Sequence, residues 1–147
     1  MWNIKCFYKA GNWCFRHKIP VLPLLFKFLI RLFFNSAVDC STKIGKNVLF
    51  AYGGIALVIH KRAIIGDNVS IGQCVTIGGR SKSINVPIIG NNVYIGAGAK
   101  VLGDIKIGNN VIIGANSVVI NDVPDNSVVA GIPAKIIKRD INYSDYV

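Results

Sequence analysis

Residues 59–78 read IHKRAIIGDNVSIGQCVTIG, and residues 87–119 read PIIGNNVYIGAGAKVLGDIKIGNNVIIGANSVV. An Ile or Val recurs at 59, 65, 71, 77, 89, 95, 101, 107, 113 and 119, always a multiple of six apart. Gly follows it at 66, 72, 78, 90, 96, 108 and 114. A small or branched residue sits four places after it, from Ala63 and Val69 to Ser117, Val123 and Val129. Neither a 3.6-residue helical period nor plain alternation gives this pattern. One hexad reads as a short strand plus a turn. The aliphatic residue points inward, the small residue packs between layers, and Gly, Asn or Asp permits the bend. Three hexads close a triangular coil of roughly 18 residues, and no coil can bury its aliphatic face without neighbours.

Two places break the period. Ile44 precedes Ile59 by 15 residues, which is not a multiple of six, so the register must shift around Phe50–Ala56, where Gly53 and Gly54 supply flexible backbone. Residues 79–86, GRSKSINV, keep the count but lose the pattern and read as a loop leaving the coil. Loops on a rigid solenoid are natural sites for binding an acceptor, which marks Arg80 and Lys82 as substrate-binding candidates.

The run from IGDNVSIGQCVTIGG (65–79) through VPIIGNNVYIGAGAK to AGIPAKII (130–137) resembles the hexapeptide-repeat acyltransferases. It is most similar to their serine acetyltransferase-like branch, which includes acetyltransferases of surface-polysaccharide synthesis. The resemblance covers about residues 42–139. It implies an all-β main domain, a left-handed parallel β-helix, over residues 41–134. A helical, basic and aromatic segment (1–40) precedes it and a basic tail (135–147) follows. It further implies a homotrimer with active sites between adjacent β-helices, and direct acetyl transfer from acetyl-CoA with no metal. A hexapeptide-repeat carbonic anhydrase fails on histidine count, because His17 and His60 cannot supply a three-histidine zinc site.

Acyl transfer from a thioester to a hydroxyl needs a base for the hydroxyl proton and donors for the developing oxyanion. All seven acids are Asp, which excludes a catalytic glutamate. His60 is the leading base. It stands where most hexads have Gly, with a surface corner histidine as the plainer reading. Serine acetyltransferases carry a D-H-A-T-G stretch that would fall near Ala51–Gly54, where this chain reads Ala-Tyr-Gly-Gly. That departure favours a sugar hydroxyl over serine as acceptor and marks Tyr52 as an orienting or substrate-contacting group. Serine O-acetylation and a non-catalytic binding module stand as alternatives. By resemblance, the amides of Ala97 and Ala115 meet the pantetheine arm of CoA, Gly131 shapes the final turn, and Lys135 and Lys138 contact its phosphates. Asp104, Asp122 and Asp125 read as turn residues.

The 147 residues suit one domain with a small appendage, and 52% hydrophobic composition affords a core. Net charge is +10, and residues 1–36 hold Lys5, Lys9, Arg16, Lys18, Lys27 and Arg31 with no acid. No nucleic-acid-binding signature is present. Cys6, Cys14, Cys40 and Cys74 show no metal spacing and read as free thiols of a cytoplasmic protein. Residues 3–17 and a stretch starting near Pro23 read as helices. The second is short for a membrane span and carries Lys27 and Arg31. Its stripe of Leu24, Leu25, Phe28, Leu32 and Phe33 fits either packing against the main domain or a neighbouring subunit, or peripheral contact with the inner face of the membrane.

Overall fold

The computed structural model describes residues 3–147. From residue 37 the chain winds a left-handed parallel β-helix with three walls. The first wall stacks Ala37–Val38, Val58–Ile59, Thr76–Gly78, Lys100–Leu102 and Val118–Val119. The second stacks Lys43–Ile44, Ile64–Ile65, Ile88–Ile89 and Lys106–Ile107. The third stacks Leu49–Phe50, Ser70–Ile71, Val93–Ile95, Val111–Ile113 and Ser127–Gly131. Parallel register places each inward residue on its counterpart one coil away. In the first wall Ile59 lies between Val38 and Ile77, and Val101 between Ile77 and Val119. In the third, Ile71, Ile95 and Ile113 follow Phe50. These columns are buried, and each Ile contributes about 1.5–3 kcal/mol by leaving water.

The edge between the second and third walls explains the Gly-Asn and Gly-Asp pairs. A Cβ on Gly66 would lie 2.5 Å from the Gly90 carbonyl oxygen of the next coil, so only glycine lets the coils stack that closely. The next residue's amide is capped from the coil beyond it. Asp67 N–H donates to Asn91 Oδ1 at 2.8 Å, and Asn91 N–H to Asn109 Oδ1 at 2.8 Å. Asn109 N–H donates to Asp125 Oδ1 at 2.7 Å. One position further, Asn47, Asn68, Asn92, Asn110 and Asn126 link side chain to side chain at 2.8–3.1 Å. All five hold left-handed backbone, which asparagine tolerates better than most residues. The turn roles read for the aspartates have concrete partners: Asp122 accepts the Lys106 amide, and Asp104 accepts the Asn85 carboxamide.

Register accounts for each irregularity. Ile44 and Ile65 pair although 21 residues apart, so three residues are inserted into the first coil. They form a tight turn at Ala51–Gly53 with left-handed backbone at Tyr52, Gly54 and Ala56. Ile65 and Ile89 pair at a separation of 24, so the 79–86 loop adds one whole hexad and leaves the period intact. The last coil is short instead. Ile113 pairs with Val129, and Ile107 bridges Val123, each 16 residues on. Val123 and Val129 therefore hold the inward aliphatic register, not the small-residue slot that the repeat suggests.

Two ends close the prism. Ala134–Arg139 folds back antiparallel on Ser127–Gly131, with Ala134 and Ile136 against the core. Residues 135–147 thus begin as a paired strand. At the other end the coil starts at Ala37, four residues before the expected junction at 40/41, because Ala37–Val38 already pairs with Val58–Ile59. A helical hairpin covers that end. Helix α1 (Ile4–Arg16) is capped by Asn3, whose side chain accepts from Lys5 N–H at 2.9 Å. Helix α2 (Leu22–Phe34) has Pro23 in its first turn and left-handed Asn35 at its end. Ile4, Tyr8, Ile30 and Phe34 join the coil core. A Cβ on Gly11 would strike Cys40 Sγ and lie 2.9 Å from Phe26 Cβ, so glycine sets how closely α1 approaches α2 and the first coil. Leu24, Leu25, Phe28 and Leu32 do not supply the packed face of α2; they are exposed, and Phe33, also exposed in part, sets its ring 6.0 Å from that of Phe7.

Candidate active site

The expected site residues fall on two different edges of the prism. Between the first and second walls lie His60 and, one coil further, the loop bearing Arg80 and Lys82. His60 N–H donates to the Ile77 carbonyl at 2.8 Å, which fixes the corner beside the strand that leads into the loop. The imidazole is half-buried, and its Nδ1 accepts the Arg62 backbone N–H at 3.1 Å. A neutral ring that accepts at Nδ1 carries its proton on Nε2. Among the described residues no carboxylate is hydrogen-bonded to His60. The ring is therefore oriented by backbone alone. Arg80 and Lys82 are exposed, and the loop is tied down through Asn85 Nδ2 to Asp104 Oδ2 at 2.8 Å.

Tyr52, Ala97, Ala115 and Gly131 lie on the edge between the third wall and the first wall of the next coil. Tyr52 is 67% exposed at the inserted turn. At this edge the amide-capping slot holds Ala97 and Ala115, which have no side chain able to cap a neighbour. Among the described residues, neither amide has a protein acceptor, whereas the equivalent amides of Lys46, Asp67, Asn91 and Asn109 on the neighbouring edge are capped by Asn or Asp. Their backbone does stack, since Asn116 N–H donates to the Ala97 carbonyl at 2.8 Å. A ladder of open donors flanked by methyl groups suits a thin ligand with spaced carbonyls. Gly131 holds φ +100°, a conformation suited to glycine, at the final turn. Lys135 lies opposite Ala130 in the closing hairpin. Lys138 lies opposite Val128, with its Nζ 3.2 Å from Tyr146 Oη and 5.7 Å from that ring's centre.

One residue of this edge escaped the sequence reading. Lys100 reaches from the first wall to the Cys74 carbonyl, with Nζ 2.7 Å away. Its column otherwise holds Ala37, Val58, Thr76 and Val118, so a lone charge was the available signal. Among the described residues no group of three or more His, Cys, Asp or Glu could hold a metal ion.

Comparison with known proteins agrees with the coil fold. Residues 87–121 match the family described as bacterial transferase hexapeptide (six repeats). The chain is 41% identical over 134 residues to a serine acetyltransferase of Synechococcus elongatus, covering 90% of this chain and 54% of that protein. It is 52% identical over 112 residues to a serine acetyltransferase of Staphylococcus aureus, covering 75% and 52% respectively. It thus spans about half the length of the curated relatives it matches. Among solved structures, serine acetyltransferase from Brucella abortus superposes with a TM-score of 0.87 at 33% identity, over 92% of this chain and 56% of that one. The same enzyme in complex with coenzyme A gives 0.85 at 33% identity, over 90% and 54%. Period, coil register and likeness to these relatives agree: the chain is a hexapeptide-repeat coil that resembles the serine acetyltransferases.

Proposed function

We propose that this chain carries out acetyl-CoA-dependent O-acetylation of a small hydroxyl compound, with serine as the first acceptor to test. The observation that carries the reading is its likeness, over 90% of its length, to a serine acetyltransferase. That likeness favours serine over the sugar acceptor suggested by the sequence alone. The open amides of Ala97 and Ala115 suit the pantetheine arm, with Gly131 shaping its exit and Lys135 and Lys138 meeting its phosphates. Acetyl-CoA supplies the thioester. His60 accepts the proton of the attacking hydroxyl at a ring nitrogen and returns it to the departing thiolate sulfur. Presenting a free Nε2 lone pair means moving the ring proton to Nδ1 and giving up the Arg62 N–H bond, at a cost of about 1 kcal/mol. Arg80 and Lys82 lie on the same edge one coil beyond His60 and are the cations available there to an acceptor carboxylate.

His60 and the Ala97–Ala115 edge of one chain are separated by the first wall. The proposed site is accordingly completed by a second copy in a homotrimer.

The deciding assay follows thiol release from acetyl-CoA with serine and nucleotide sugars side by side. Release that depends on serine, and falls about 10²–10⁴-fold in His60→Ala, is the expected result. Unaltered turnover of His60→Ala would remove that residue from the mechanism. No release with any acceptor by folded protein would leave a non-catalytic coil. A sugar acceptor remains the second reading because exposed Tyr52 stands in the Ala-Tyr-Gly-Gly turn where serine enzymes carry D-H-A-T-G. Sugar-dependent release without serine-dependent release would select it.

A further inference from the structure

Helix α2 is apolar on the side turned away from the protein. Ile30 and Phe34, one turn apart, are buried against α1 and the first coil. At 100° per residue, Leu24, Phe28 and Leu32 fall on the opposite side, where they are 67%, 60% and 62% exposed. Surface helices of globular proteins show the reverse pattern. Arg31 borders this stripe and lines one groove with Leu24 and Phe28. Lys27 lines the same groove, but its charge is paired with Asp39 at 3.0 Å.

The length of the helix and the charge around it select the occupant. Thirteen residues extend about 20 Å, too short to cross a hydrocarbon core of about 30 Å. Among the described residues no helix is long and apolar enough to cross a membrane. The first 36 residues carry six cations and no acid. A second copy would bring its own Arg31, unpaired among the described residues, against the same stripe, so self-association through α2 meets like-charge repulsion. An acidic soluble protein would match the charge but not the row of Leu and Phe. An anionic bilayer surface matches both.

We propose that α2 seats this protein on an anionic membrane surface, with Leu24, Phe28 and Leu32 at the headgroup–acyl boundary and Arg31 among the lipid phosphates. The inference does not depend on the acetyl-transfer reading, since none of these residues belongs to either edge of the candidate site.

The test is flotation of the full chain with vesicles of phosphatidylcholine alone, or with one third phosphatidylglycerol. The protein is expected to float with the anionic vesicles and to be released by added salt. Partitioning should fall roughly tenfold or more in Phe28→Asp, which removes one buried aromatic ring. It should fall about fivefold in Arg31→Gln. Both side chains are exposed, so unchanged helical circular dichroism and unchanged particle mass are expected alongside. Failure of the wild-type chain to float with anionic vesicles overturns the proposal. So does full flotation of a Leu24→Asp/Phe28→Asp double variant. A lower particle mass in that variant would identify a second copy as the occupant and equally overturn it.

Discussion

Tyr8 carries its hydroxyl into the joint between α1 and the first coil, where it donates to the Thr42 carbonyl at 2.6 Å. Burial pushes its pKa up from 10.0 to about 12, outweighing the lowering by a backbone hydrogen bond. An unfolded tyrosine ionises near 10, so folded Tyr8 holds its proton longer. Its contribution is complete below pH 10 and is lost as pH rises from 10 through 12. The loss at pH 12 is on the order of 2 kcal/mol. Tyr8→Phe should start about 1 kcal/mol less stable at pH 8 and then decline less steeply from pH 10 to 12. Cys40, which burial pushes up to about 11, keeps some alkaline slope in both proteins. Melting temperatures across pH 8–12 check this, and parallel curves would show that Tyr8 titrates as if exposed. The same scale marks a limit of sequence reading. His60 is visible as a histidine in a glycine slot, but the direction of its ring rests on one bond from Arg62 N–H, which the sequence does not encode.

Among the elements, the coil was the legible part, because each hexad repeats one physical task and the side chains at each step must agree. The three-residue insertion was visible as the 15-residue gap from Ile44 to Ile59. The shortened last coil was hidden, because Val123 and Val129 are plausible in either slot. The helices were legible as helices, but the buried face of α2 was not. Lys27 and Arg31 mark one polar side, but Lys27 turns to Asp39 beside the first coil and the apolar stripe faces outward instead. The asparagine row offers an element-scale prediction. Asn92 donates to Asn110 and accepts from Asn68, while holding φ at 52°. Asn92→Ala loses both side-chain bonds and places an ordinary residue in left-handed backbone, at a cost of about 2 kcal/mol. The melting temperature should drop by roughly 5 °C. Asn92→Gly should recover the backbone share but not the ladder. Equal losses for the two variants would mean that the backbone conformation carries no cost.

At the scale of the whole molecule, the separation of the two edges is the feature that sequence could not supply. Tyr52 and His60 are eight positions apart in the chain, yet the Val58–Ile59 strand places them on successive edges of the prism. The first wall between those edges spans roughly 10 Å, too far for a base on one edge to reach a thioester held along the other. In the proposed trimer, His60 of one copy faces the open amides of the next. Two inactive variants then become informative together. His60→Ala lacks the base but keeps the amide edge, while Ala115→Trp obstructs that edge but keeps the base. Unfolded and refolded as an equal mixture, random trimers contain roughly a quarter of sites built from one intact edge of each kind. Recovered activity near a quarter of the wild-type value, from two chains that are separately inactive, is the expected outcome. Without recovery in a mixture that has demonstrably exchanged subunits, base and amide edge would have to meet within one chain, and the proposed division of the site between copies would fail.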